Sequence, residues 1–192
     1  MLRPLYDWTM RQASGRHALR GLAVVSFVES SFFPIPPDVL LVPLVIAQRD
    51  RAWFIAFVCT AASVAGGMLG YLIGAALYDT IGVALLEFYG YLAKFTEFQS
   101  LYNEWGAWIV FGAGITPFPY KVITIASGVT RLDLFVFVVA SVLARGIRFF
   151  AVAGLLWWWG PQIRGFIERN LGWLTIVFFL LLIGGFVLLK WL

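Results

Sequence analysis

Three stretches of the chain are apolar for long enough to cross a bilayer, which takes about 20 residues of helix. Residues 52–78, AWFIAFVCTAASVAGGMLGYLIGAALY, carry no charge. Within them Gly66, Gly70 and Gly74 recur at every fourth position, on one helix face, where small residues let a neighbouring helix come close. Residues 134–159 form a second span that holds Arg145 and Arg148 and ends in Trp157, Trp158 and Trp159, an aromatic belt, before Gly160 and Pro161. A third covers 171–190, with Lys190 and then Trp191 as interface anchors.

Between the first two spans the period changes. Ile81, Leu85, Phe88, Leu92, Phe95, Phe98, Tyr102 and Trp105 follow one another at steps of three and four, with Glu87, Lys94 and Glu97 off that stripe. The pattern predicts an amphipathic helix over 81–105 that lies on the membrane surface or covers the bundle. Two further apolar segments, 21–47 and 106–129, are each broken in the middle, by Pro34, Pro36 and Pro37 in one and by Pro117 and Pro119 in the other. Proline removes a backbone donor and disfavours helix at the residue before it, so each segment reads as two half-helices too short to cross. We therefore expect two re-entrant hairpins with their tips at membrane depth, where irregular backbone is tolerated only inside protein or beside a cavity. The order, hairpin then span, occurs twice, and proline-interrupted segments at corresponding places in two halves mark an inverted repeat. The predicted fold class is an all-α integral membrane protein. It has two re-entrant helical hairpins, three transmembrane helices and one amphipathic helix, in a single domain over residues 1–192.

Charge follows the same plan. If both ends of each hairpin lie on one side, Arg3, Arg11, Arg16, Arg20, Arg49, Arg51, Arg164 and Arg169 share a compartment, with only Lys94, Arg131 and Lys190 opposite. The positive-inside rule then puts the basic N-terminal segment, 1–20, and the 164–169 loop in the cytoplasm. Composition fits a membrane protein: 61% apolar, 12% charged and a mean hydropathy of +0.89, against about 25% charged residues in soluble domains. The net charge of +4 is spread around the spans rather than gathered in one patch, which argues against a nucleic-acid partner. A single cysteine, Cys59, excludes an internal disulfide, and a single histidine, His17, stands among arginines, so neither a His/Cys metal site nor a cofactor is expected. No small-residue cleavage site follows the N-terminal arginines, so no removable signal peptide is expected.

The stretches FVESSFFPIPPDVLLVPL, GGMLGYLIG, GITPFPYKVITIASG and SVLARGIRFF resemble the DedA family, also called the SNARE-associated or VTT-domain family, over residues 20–155. TPFPYK is similar to the bacterial inner-membrane subgroup known as YqaA-like. The resemblance implies two oppositely oriented re-entrant hairpins that meet within the membrane. It also implies a role in moving lipid: flipping of undecaprenyl phosphate, scrambling of phospholipids, or membrane homeostasis that depends on the proton gradient. The family's functional positions are two acidic residues around the first hairpin, matched here by Glu29 and Asp38, and two arginines around the second. Where many members read Gly-Arg-Phe-x-Pro-x-x-Arg, this chain reads AGITPFPYK, which puts Gly114 and Tyr120 at the arginine positions and Lys121 one place further on. Either Lys121 with Arg145 or Arg148 supplies the phosphate-binding charge, or the subgroup takes a different ligand.

Glu29, Asp38, Lys121, Arg145 and Arg148 are the ionisable groups of the predicted membrane segments, where a lone charge costs on the order of 3 kcal/mol and functional use is the default reading. Asp38 follows Pro36 and Pro37, where a carboxylate either caps the second half-helix or handles an ion or proton. Glu29 stands well before the break and cannot cap it, which leaves a buried, paired or proton-exchanging carboxylate. Lys121 opens a half-helix, where it and the free amides attract a phosphate, unless it forms a salt bridge to Glu29 or Asp38. Arg145 and Arg148 share a helix face and suit bidentate phosphate binding; the alternative for Arg148 is to snorkel toward the interface. Thr116, Tyr120 and Thr124 offer hydroxyls to a ligand or to the helix backbone.

These residues point to a transporter of a phosphate-bearing lipid in a bacterial inner membrane. Lys121, Arg145, Arg148, Thr116 and Tyr120 would meet the substrate, and Glu29 or Asp38 would exchange a proton. A transporter of a small solute or ion shares the architecture. A structural or assembly factor, with the glycine stripe and the 81–105 helix as partner surfaces, also fits, as does a homo-oligomer. An enzyme lacks support, since the sequence shows no nucleophile or metal constellation.

Overall fold

The computed structural model describes residues 17–32, 36–116 and 119–160. The predicted span at 171–190, the segment before His17, and Pro34 and Pro117 lie outside the described residues.

The described elements are all helical. Helices α1 (Ala18–Ser31) and α2 (Asp38–Ala47) flank the first proline break. A 3-10 turn, Arg49–Arg51, leads into α3 (Ala52–Leu77), which continues through a π-helical turn, Tyr78–Gly82, into α4 (Val83–Phe88). Helices α5 (Leu92–Ile115) and α6 (Tyr120–Val129) flank the second break, and α7 is Leu134–Gly160. Two continuous helical stretches, Arg49–Phe88 and Leu134–Gly160, are long and apolar enough to cross a membrane, at 40 and 27 residues. By contrast α2 and α6, with 10 residues each, are apolar but too short.

The 81–105 stripe differs from its predicted form. It is divided at Tyr89–Tyr91, where Gly90 takes φ +69°, a conformation open to glycine without steric cost. Its second part runs unbroken to Ile115, past the expected boundary at 105. The stripe ends at Trp105 because the helix becomes apolar on more of its circumference, and periodicity records that change; the helix itself stops only at the prolines that follow Thr116.

Contacts between helices establish their directions. Helices α3 and α7 lie side by side and run oppositely: Tyr71 meets Phe137 (ring centroids 5.3 Å), Ser63 meets Arg145 (2.7 Å), Trp53 meets Phe150 (6.0 Å), and Arg49 donates to the Trp157 carbonyl. Helix α1 runs with α3, since Ser26 meets Cys59 (3.1 Å) and Ser30 meets Ser63 (2.7 Å) at one offset. Helix α6 also runs with α3, with Gly67 beside the Tyr120 ring and Gly128 against the Tyr71 carbonyl. The two short helices thus follow one another along α3, and the Thr124 hydroxyl of α6 donates to the Ser30 carbonyl near the end of α1 (3.0 Å).

Helix α7 is covered in the same way. Along its first half lies α5, with Gly106 at Leu132 and Gly114 at Ala144, and along its second half lies α2, from Asp38 at Arg148 to Arg49 at Trp157. The chain therefore turns back at each proline break, and the two turns come together halfway along α3 and α7. Gly66, Gly70 and Gly74 are buried where this happens. A methyl at 66 would strike the Phe27 carbonyl of α1, at 70 the Thr124 hydroxyl, and at 74 the Ile125 carbonyl of α6, so the stripe seats both short helices. The apolar core is in two parts, one around Leu22, Leu41, Ile55 and Phe149, the other around Val110, Tyr120, Leu132 and Phe137.

Gly74→Ala is expected to cost about 1–3 kcal/mol, because the added methyl meets backbone that cannot yield. Gly112→Ala, where a methyl meets nothing within 4 Å, is expected to leave stability unchanged or raise it. Thermal unfolding of the two variants in detergent checks the pair.

Candidate functional site

Arg145, halfway along α7, is only 2% exposed. Its Nε donates to Ser63 Oγ (2.7 Å) and its Nη2 to Glu29 Oε2 (2.9 Å). Ser30 Oγ donates to the same carboxylate oxygen (3.2 Å) and lies 2.7 Å from Ser63 Oγ. Each hydroxyl has one proton to give. Ser30 gives its proton to Glu29, so Ser63, which accepts from Arg145, must donate to Ser30. The four side chains close a ring of hydrogen bonds, Arg145 to Ser63 to Ser30 to Glu29 and back to Arg145. Tyr120 and Phe149, one from each part of the core, bring their ring centroids to 4.7 Å from the guanidinium carbon. Such contacts favour a cation that has lost its water.

Arg148 lies one turn further along α7. Its Nη2 donates to Asp38 Oδ2 (2.6 Å) and its Nη1 to the Thr116 carbonyl (2.9 Å). Asp38 opens α2 after the first break, and Thr116 follows α5 at the second, so one guanidinium fastens both breaks. This pair is more open than the other: Arg148 and Asp38 are 21% and 27% exposed, against 2% and 14% for Arg145 and Glu29. A third ion pair, Arg131 with Asp79, lies on the surface at the far end of α3.

Several side chains do something other than the sequence suggests. Lys121 bridges to neither Glu29 nor Asp38, because the arginines of α7 hold both carboxylates. Tyr120 and Thr124 face α3, and Lys121 is turned about 100° from Tyr120 around the helix. Lys121 is half-buried, and among the described residues its ammonium makes no ion pair or hydrogen bond. Tyr120 is sealed inside, its hydroxyl donating to Ser141, so it supports Arg145 instead of presenting a hydroxyl to a ligand. The Thr116 hydroxyl turns back to the Ala113 carbonyl (3.4 Å), and only its own carbonyl serves the site. Asp38 caps no amide; the residue ahead of α2 is Pro37, and the carboxylate goes to Arg148. Arg148 does not snorkel but is held between the breaks, where Pro36, Pro37 and Pro119 stand.

Ser30, Ser63, Ser141 and Phe149 complete the site and were not among the residues read from sequence. One signal does point to the serines. Ser26 and Ser30 in α1, and Cys59 and Ser63 in α3, each recur at the four-residue spacing that puts small polar groups on one face, and all are buried. Two such faces have to meet each other, because a buried hydroxyl without a partner is costly.

Two relatives match over nearly their whole length. An uncharacterized protein of Haemophilus influenzae is 38% identical over 188 residues, 96% of this chain and 96% of its own. The uncharacterized HI0703 homolog of Histophilus somni is 36% identical over 176 residues, 90% of this chain and 92% of its own. The chain belongs to the family of these two proteins. An overlap of that length takes in both proline breaks and both long helices of the family member described here. No protein-family model and no solved structure matches the chain.

Glu29→Gln and Arg145→Met are each expected to cost about 3–5 kcal/mol, since either one leaves a buried group without its partner. The double variant is expected to cost clearly less than the sum, because the second change strands nothing further. Unfolding titrations of the four proteins in mixed detergent give the cycle.

Proposed function

We propose that this chain is an integral membrane protein of the DedA type that moves a phosphate-bearing lipid, such as undecaprenyl phosphate or a phospholipid, across a bacterial inner membrane. The observation that carries the proposal is the set of charges at mid-length: Glu29, Asp38, Arg145 and Arg148 meet where two proline breaks come together between two helices long enough to cross a bilayer. At that depth charges are expensive and mark a ligand or ion path.

Further observations support the membrane setting. The outer sides of α3 and α7 expose Phe54, Phe57, Leu72, Phe135, Val139, Leu143 and Ile147, a surface suited to lipid tails. The opposed directions of α1 and α2, and of α5 and α6, support two re-entrant hairpins. Their matching arrangement along α3 and α7 supports an inverted repeat. Arg49 and Arg51 lie at the end of the bundle where α7 finishes, as a cytoplasmic face rich in arginine requires.

In this reading a phosphate headgroup enters between the hairpin tips and meets Lys121 and Arg148. Arg148 presents its planar fork to the phosphate oxygens, and Lys121 adds a point charge beside the second break. The Arg145 ring holds the tips at their meeting point, and a carboxylate of the site, Glu29 or Asp38, exchanges a proton as the lipid crosses.

Proteoliposomes carrying a labelled lipid phosphate measure this directly. The wild-type protein is expected to speed transfer between leaflets, and Lys121→Ala and Arg148→Gln to slow it by about tenfold or more, the worth of one charge-assisted contact. Full transfer in both variants would remove the residue assignment, and no acceleration by wild type would remove the reading itself.

A further inference from the structure

The two arginines of α7 are held so differently that only one can exchange its partner. Arg145 is sealed: its Nε and Nη2 are engaged, two aromatic rings lie against it, and its carboxylate is also tied to Ser30. Removing Glu29 from that ring would leave the buried Arg145 charge without its counterion and take an acceptor from Ser30. Among the described residues Arg148 has no such ring. There its hydrogen bonds go to one carboxylate oxygen and one backbone carbonyl, both at the breaks, and both members of its ion pair are partly open.

We infer that Asp38 occupies the place of the substrate's anion on Arg148, as an internal competitor that a phosphate must displace. The inference rests on the lipid-phosphate reading above. A carboxylate and a phosphate offer the same kind of oxygen to a guanidinium, so the exchange keeps Arg148 neutralised throughout. Asp38 uses one cation. Lys121, on the second break and without an ion pair among the described residues, is left over while Asp38 is bound, and a phosphate uses it as well. That difference lets the ligand win the exchange although Asp38 is tethered in place. Asp38 contacts Arg148, whose other hydrogen bond goes to the Thr116 carbonyl, and the Arg145–Glu29 pair lies one turn back along α7. The shared ligand chemistry is a phosphate group, free or on a lipid.

Removal of Asp38 is therefore expected to strengthen binding, where loss of a merely structural group would weaken it. The full-length protein in detergent is titrated with inorganic phosphate and with dihexanoyl phosphatidic acid, using wild type, Asp38→Asn, Asp38→Ser and Arg148→Gln. Both Asp38 variants are expected to bind about tenfold more tightly than wild type, the scale of one displaced charge-assisted hydrogen bond, and Arg148→Gln to lose binding. Tightening for both probes marks a site open to free phosphate. Tightening for the lipid alone marks one that also needs the acyl chains, and either result supports the inference. Melting temperatures show which variants fold, and serine keeps a small polar group near the helix start if asparagine does not fold. Equal or weaker binding by the folded Asp38 variants overturns the inference while wild-type binding upholds the lipid-phosphate reading. Failure of both Asp38 variants to fold also overturns it, and binding by none of the proteins overturns both.

Discussion

A guanidinium halfway along an apolar helix of 27 residues has to be neutralised by another part of the chain, and much of the architecture follows from how Arg145 is satisfied. Its carboxylate comes from the last turn of α1, its hydroxyl from the middle of α3, and its aromatic contacts from α6 and from α7 itself. For Glu29 to reach it, α1 has to end at that depth rather than carry on, and the proline break lets it end there. For Tyr120 to reach it, α6 has to begin at the same depth, and the second break supplies that start. The glycine stripe on α3 is the third condition. Without Gly66 α1 could not lie close enough for Ser30 to meet Ser63, and without Gly74 α6 could not lie as close to α3 as it does.

The elements of the fold were largely legible in the sequence because each has a local cause. The paired prolines interrupt the helices at both breaks, long apolar runs give the long helices, and a four-residue glycine repeat predicts close approach. The boundary at 105 was misplaced because periodicity reports which side of a helix is wet, not where it ends. The partnerships within the site were less legible. Glu29, Asp38, Arg145 and Arg148 stood out as charges in apolar surroundings, yet which acid takes which arginine depends on the facing of helices distant in sequence. Lys121 shows the cost of arguing from the chain alone. It follows the break and is the natural counterion by position, but the arginines of α7 hold both carboxylates instead. The serines were least visible, since a serine in an apolar helix shows its importance only through its partner.

The site has a closed part and an open part. The ring around Arg145 is closed by four hydrogen bonds and is nearly sealed, which suits a fixed point about which two breaks are assembled. The Arg148–Asp38 pair is partly open, and its guanidinium joins the Asp38 carboxylate at one break to the Thr116 carbonyl at the other. Under the proposed transport function, exchange belongs at the second pair and rigidity at the first. A transporter needs both, because binding must be reversible at a site whose geometry persists. The resemblance to the DedA family implies arginines in the second hairpin, and here the cations that meet the carboxylates come from α7 instead.

The central claim is that the chain turns back at both breaks, so that each pair of half-helices enters and leaves on one side. Labelling of single cysteines with a membrane-impermeant maleimide in oriented vesicles, on a Cys59→Ala background, tests it most directly. His17→Cys and Asp50→Cys, at the two ends of the first pair, should react from the same face, and Glu87→Cys and Asp133→Cys, flanking the second pair, from the opposite face. Reaction of positions 17 and 50 from opposite faces would mean that the first segment crosses the membrane, and would contradict the account.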